Sequence, residues 1–280
     1  MKDINLTLPT SWNELSVTQL KNVTEQLDLY QKLIKEFPEQ LENLSVQLHL
    51  QLAKELLRGN KYKNVSIALN EIPPKEFIPW TTFIYKISRT KFISTVTINK
   101  QTFYAPDIRF RNATINEFSY VDAVWYRWRT SQKEIWLNVL CAALYREHKY
   151  NKVQRFINKL IKKPTPIDVR VKFLKLANDA RADKFNNLDY KTKLAIAYTY
   201  EGCRNNIANS FPNVFPKPVV IEGEPLKKLA NQKYQSFRKI ILEKIKGDPS
   251  KLDKTNNILV FDFLSIVEQD IINFNTEQKK

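Results

Sequence analysis

Glycine is scarce in this chain. Four residues, Gly59, Gly202, Gly223 and Gly247, serve a length of 280, where ordinary usage would supply about 20. Phosphate-cradling loops need glycines a few residues apart, because the backbone must approach the anion at positive φ. The closest pair, Gly202 and Gly223, is 21 positions apart. Neither a dinucleotide fingerprint nor a Walker loop can be written on such a chain. Histidine and cysteine are equally sparse: His49, His148, Cys141 and Cys203. None stands within metal-ligand spacing of another, so no metal or cofactor is expected. Two cysteines in a chain this long do not make a disulfide scaffold. Both lie among apolar residues and read as small core side chains. No run approaches the ~18 apolar residues of a membrane span. The start, MKDINLTLPT, has no apolar signal core. The expectation is a cytoplasmic chain without a membrane partner.

Positive charge is plentiful. Lys and Arg number 45 against 29 Asp and Glu, a formal net charge of +16. It is uneven: residues 1–58 carry −2, 59–118 carry +5, 119–210 carry +10 and 211–280 carry +3. The block 119–210 suits either a solvated basic face or a surface turned toward DNA or an acidic partner. With 43% hydrophobic residues, the chain can bury a proper core.

Periodicity makes the chain mainly α, a multi-helix bundle with a small β-hairpin insertion. Residues 1–58 form an N-terminal helical segment. Ser16 and Gln19 fit a capping box ahead of Leu20, Val23, Leu27 and Tyr30, and Pro38 ends that helix. A second helix runs from about Leu41 to Leu57, with Gly59 placed to cap it. Trp12 is expected to pin the opening stretch to the body. Residues 59–113 are irregular, and KFISTVTI (91–98) and TFYAPDI (102–108) read as a hairpin turning at Asn99-Lys100-Gln101. Residues 114–210 form a basic helical core. Thr114 with Glu117 and Ser131 with Glu134 look like further capping boxes. Thr165-Pro166 reads as a helix start leading into Val169 and Phe173. Residues 211–280 hold a proline-bounded linker and helices near 225–246 and 256–273.

Two stretches are candidate contact surfaces for a partner or nucleic acid. In FSYVDAVWYRWRTSQKEIW (118–136), Trp125, Trp128, Arg127, Arg129 and Lys133 mix rings with cations, as single-stranded nucleic acid requires. The same Trp125 and Trp128 share a helical face with Val121, as core rings do. In KVQRFINKLIKK (152–163), Val153, Phe156, Ile157, Leu160 and Ile161 make one face. Arg155, Lys159, Lys162 and Lys163 line its flanks. A bundle helix with a solvated basic side has the same pattern. Asp179 and Asp183, four apart, lack a third carboxylate at a recognisable spacing, so no catalytic constellation is named. Gly202, within a helix, marks a close approach of another element.

Three segments carry a resemblance. LPTSWNELSVTQL (8–20) resembles the opening of tail-assembly and virion-associated proteins of tailed phages and prophages of Bacteroidota. A second module, 96–128 followed by VLCAALYRE (139–147), is similar to a recurring hairpin in such proteins. There a Thr-Ile-x-Glu-Phe helix start and a Leu-Tyr-Arg follow the hairpin. YEGCRNNIANSFPNVF (200–215) looks like a companion motif. Glu147 stands where that family often has Pro. The resemblance implies a non-enzymatic morphogenesis protein, either a tail or connector component or a tail-assembly chaperone. Its partners would be other phage structural or tail proteins and further copies of itself, with DNA contact through residues 119–210 as an alternative. It would act in the bacterial host cytoplasm during assembly, or within the virion.

Overall fold

The computed structural model describes residues 5–162, 164, 167–216 and 236–278. Among these the chain is mainly α-helical with a two-stranded β-hairpin. The helices are α1 (Val17–Glu36), α2 (Leu41–Leu56), α3 (Tyr62–Glu71), α4 (Ile78–Thr81), α5 (Ile115–Ser131) and α6 (Glu134–Leu144). They continue with α7 (Lys152–Leu160), α8 (Lys175–Phe185), α9 (Tyr190–Ser210), α10 (Phe237–Lys244), α11 (Leu252–Asn256) and α12 (Val260–Glu277). The strands are β1 (Thr95–Ile98) and β2 (Gln101–Tyr104). Contacts divide the chain into two units: residues 1–93 with 188–203, and residues 94–187 with 204–280. The first boundary falls inside the segment 59–113, the second just before α9 and the third inside α9.

In unit 1, α1 and α2 pack against each other. The capping box at Ser16 forms as its spacing predicts, and Gln19 also donates to the carbonyls of Leu56 (3.0 Å) and Arg58 (3.3 Å) beyond the end of α2. One side chain thus closes the start of one helix and the end of another. Trp12 is fully buried, donates to the Ile84 carbonyl at 3.2 Å and stacks on Tyr198 with ring centres 6.4 Å apart. Gly202 sits in α9 against backbone: a β-carbon there would lie 2.1 Å from the Arg89 carbonyl oxygen. The close approach that the glycine signals is therefore to a loop of the same unit.

His49 is buried in unit 1, with Thr81 Oγ1 at 2.5 Å and the Tyr85 hydroxyl at 3.1 Å. Burial lowers its pKa from the ordinary 6.5. Below that pH the unfolded chain binds a proton that the folded ring resists. The contribution to stability is therefore whole above pH 6.5 and declines as the pH falls, by at most about 1.4 kcal/mol per pH unit. Urea unfolding followed from neutral to mildly acidic pH should show this slope in the native chain and a flatter one in His49→Gln.

In unit 2 the hairpin pairs Val96 with Phe103 and Ile98 with Gln101. Its turn is the two residues Asn99 and Lys100, with φ of 48° and 64°, so Gln101 belongs to the strand rather than the turn. Buried Val96, Ile98 and Phe103 face inward, and Phe103 meets Phe185 of α8 at 5.2 Å. A lone hairpin is marginal in water; this one leans on a helix and adds a bridge from Tyr104 to Arg146. Helices α5, α6 and α8 form the centre, and α10, α11 and α12 pack on α5. Cys141 here and Cys203 in unit 1 are buried and not joined in a disulfide, as their apolar neighbours suggest.

Two local expectations change. Lys133, not Ser131, stands at the N-cap of α6; Ser131 is the last residue of α5, and its hydroxyl accepts from the Lys133 N–H. Val169 and Phe173 precede α8 instead of opening it. The chain there is held extended by Lys149 donating to the Val169 carbonyl (2.8 Å) and Val171 donating to that of Glu147 (2.9 Å). Backbone pairing with a neighbouring segment has overridden the helical spacing of the apolar residues. Thr165, Pro166, the linker after Pro216 and the helix expected from residue 225 up to 235 lie outside the described residues.

Candidate interaction surface

The aromatic stretch of α5 does not form an open stacking platform. Trp128 is fully buried and Trp125 is half-buried. The rings are already engaged by cations: Arg129 lies 5.5 Å from the Trp128 ring and Arg204 4.9 Å from that of Trp125. Arg127 lies 4.9 Å from the ring of Trp136. Arg204 also pairs with buried Asp122 at 2.6 Å. A base needs a free ring face, and Trp128 has none. Arg127 and Lys133 are exposed and Arg129 is half-buried, so the cations of this stretch remain at the surface while its rings do not.

At the start of α5 lies a charged cluster whose members stand far apart in the sequence. Glu117 from the Thr-Ile-x-Glu-Phe start and Arg146 from the Leu-Tyr-Arg end meet at 2.9 Å. Arg170 joins the other Glu117 oxygen at 3.0 Å, and Asp168 binds both arginines at 3.3 and 2.9 Å. Glu117, Arg146 and Arg170 are all buried. Thr114 caps α5 as expected, but the Glu117 carboxylate turns to the arginines instead of closing the box. Burial lowers the pKa of Arg146, with Glu117 opposing. Burial acts likewise on Arg170, but there Glu117 and Asp168 prevail and the value is raised. Two carboxylates face two guanidinium groups, so the formal charges of the cluster balance. The signal that would have exposed it is a charge set between apolar residues, as in Val169-Arg170-Val171. Glu147 pairs with Arg181 at 3.1 Å.

Helix α7 is arranged against the usual rule. Asn151 caps it through a full capping box with Gln154. Its apolar face is turned outward: Val153, Phe156, Ile157 and Leu160 are 66, 64, 47 and 65% exposed, and Ile161 beyond its end is 65% exposed. The half-buried side chains of α7 are Arg155 and Asn158, on the opposite side. Arg155 donates to the Tyr104 hydroxyl at 2.6 Å and covers that ring at 5.9 Å. The helix is thus attached to the hairpin by its polar face. Lys159 is exposed, Lys162 follows the helix at a φ of 50°, and Lys163 lies outside the described residues.

Asp179 and Asp183 are exposed on α8, and no group of three metal-ligating side chains occurs among the described residues. Nor is any helix among them long and apolar enough to cross a membrane. No family model matches the chain, and no curated protein or solved structure matches it.

Proposed function

We propose that this chain is a non-catalytic assembly protein of tailed-phage particles, acting by protein–protein contact as a tail or connector component or as a tail-assembly chaperone. The outward apolar face of α7 carries the reading. Burying one side chain of that size is worth about 1.5–3 kcal/mol, and the fold leaves five of them in water while it packs the polar side of the same helix inward. Contiguous exposed apolar surface with a polar rim marks an interaction site. The three phage-like segments supply the class of particle.

The test is co-purification with the tape-measure protein or with assembled particles. Phe156→Glu with Leu160→Glu is expected to weaken that association at least tenfold while leaving the melting temperature unchanged, since both side chains are exposed. Retention should also survive high salt. Binding that follows DNA instead, and collapses as salt rises, would favour the nucleic-acid reading of the basic block and sink the proposal.

A further inference from the structure

We infer that α7 of one copy docks into the groove between α1 and α2 of a second copy, joining protomers head to tail. This rests on the reading of the chain as an assembly protein and names its first partner as the chain itself.

The groove lies in unit 1, with a volume of about 230 Å³. Leu29, Tyr30, Leu33, Leu44 and Leu48 line it, together with three glutamines. Leu29 is 47% exposed, an apolar side chain at the mouth of an apolar groove. A helix recognised by such a groove presents anchors at i, i+3, i+4 and i+7. Val153, Phe156, Ile157 and Leu160 stand at those positions. The lengths agree as well. The groove runs from Gln26 to Leu33 on α1 and from Leu44 to Gln51 on α2. Each stretch advances seven residues, and so does Val153 to Leu160; seven residues make about 10 Å of helix. The apolar stripe of α7 is wider than the two-position seam of a coiled-coil pair, so it suits a cleft between two helices better than a single helix.

Charge selects this pairing over α7 against α7. Two copies of α7 face to face would bring their Lys159 and Lys162 rims together. The turn that joins α1 to α2 offers the opposite sign: Glu36, Glu39 and Glu42 are exposed and have no ion-pair partner among the described residues. Lys159 and Lys162 have none either. The two docking surfaces differ, so a protomer that has given its α7 still has an empty groove. Such contacts close into rings or continue as filaments.

Light scattering on the purified full chain over a wide concentration range tests this. The mass should rise above that of a monomer with concentration. Phe156→Glu, which spoils the helix, and Leu29→Glu, which spoils the groove, should each hold the chain at monomer mass, with melting curves unchanged. An equal mixture of the two variants should recover a species of dimer mass and nothing larger, because one intact helix and one intact groove remain. A chain that is monomeric at every concentration overturns the inference, as does an oligomer that survives both substitutions or a mixture that stays monomeric. Sedimentation of the chain with anionic phospholipid vesicles, sensitive to Phe156→Glu while the mass stays monomeric, would assign the face to a bilayer and equally overturn it. A monomer whose α7 still captures the tape-measure protein refutes self-docking and leaves the assembly reading standing.

Discussion

Glu117→Ala is expected to destabilise unit 2 by about 3–5 kcal/mol, the range for removing one partner of a buried ion pair. The Glu117 carboxylate spans Arg146 at 2.9 Å and Arg170 at 3.0 Å, and both guanidinium groups are buried. Without it, two cations share Asp168, whose side chain is 26% exposed. The Nε and Nη1 atoms of Arg146 have no hydrogen-bond partner among the described residues, so the loss falls on a group with little in reserve. Asp168→Asn should cost less, because water reaches that carboxylate and screens it. A double-mutant cycle separates the pair from the site: Arg146→Met should cost less in a Glu117→Gln background than in the native chain. Urea unfolding of the four proteins reads the coupling directly. Additive losses would show that Glu117 and Arg146 do not act together.

Gly202→Ala is expected to destabilise unit 1 by about 3 kcal/mol, at the upper end of the usual cost of overpacking. Helix propensity alone predicts the reverse, a gain of up to ~1 kcal/mol. Geometry decides the sign. The new β-carbon would lie 2.1, 2.7 and 2.8 Å from the oxygen, nitrogen and carbonyl carbon of Arg89. All three are backbone atoms, which cannot rotate aside as a flexible side chain would. Arg89 is itself tied down: its guanidinium donates to the carbonyls of Trp12 (2.8 Å), Leu15 (3.1 Å) and Lys91 (2.9 Å). Relief would require moving the loop and the N-terminal turn with it. Amide exchange near Trp12 and Leu15 should rise with the loss of stability. A variant as stable as the native chain would show that α9 and the Arg89 loop separate freely.

How much was legible depends on whether the deciding contact is local. Ser16 and Gln19 are three residues apart, and their cap forms as written. The hairpin is legible from alternating β-branched and aromatic residues; its turn is one residue shorter because Asn99 and Lys100 both accept positive φ. Helix formation at Val169 fails because the deciding partners, Glu147 and Lys149, are twenty or more positions away. The candidate surfaces divide in the same way. Spacing places Trp125 and Trp128 on one helical face, but only the assembled fold settles that Trp128 is covered and Phe156 is not. A helical pattern states which residues share a side. It does not state which side meets the body, and α7 meets it with Arg155. The Glu117 cluster draws on residues up to 53 positions apart, beyond the reach of any local pattern.

The division of α9 has a consequence for synthesis on the ribosome. Unit 1 begins with residues 1–93 but is completed by residues 188–203, which emerge about 110 residues later. At typical elongation rates of 5–20 residues per second, that delay is roughly 5–20 s. For that interval Trp12 lacks Tyr198, and the Arg89 loop has no Gly202 against which to settle. Completion of unit 1 thus follows the emergence of unit 2's hairpin and of α5 to α8. Until then the nascent N-terminal helices stand without the residues 188–203 that complete their unit.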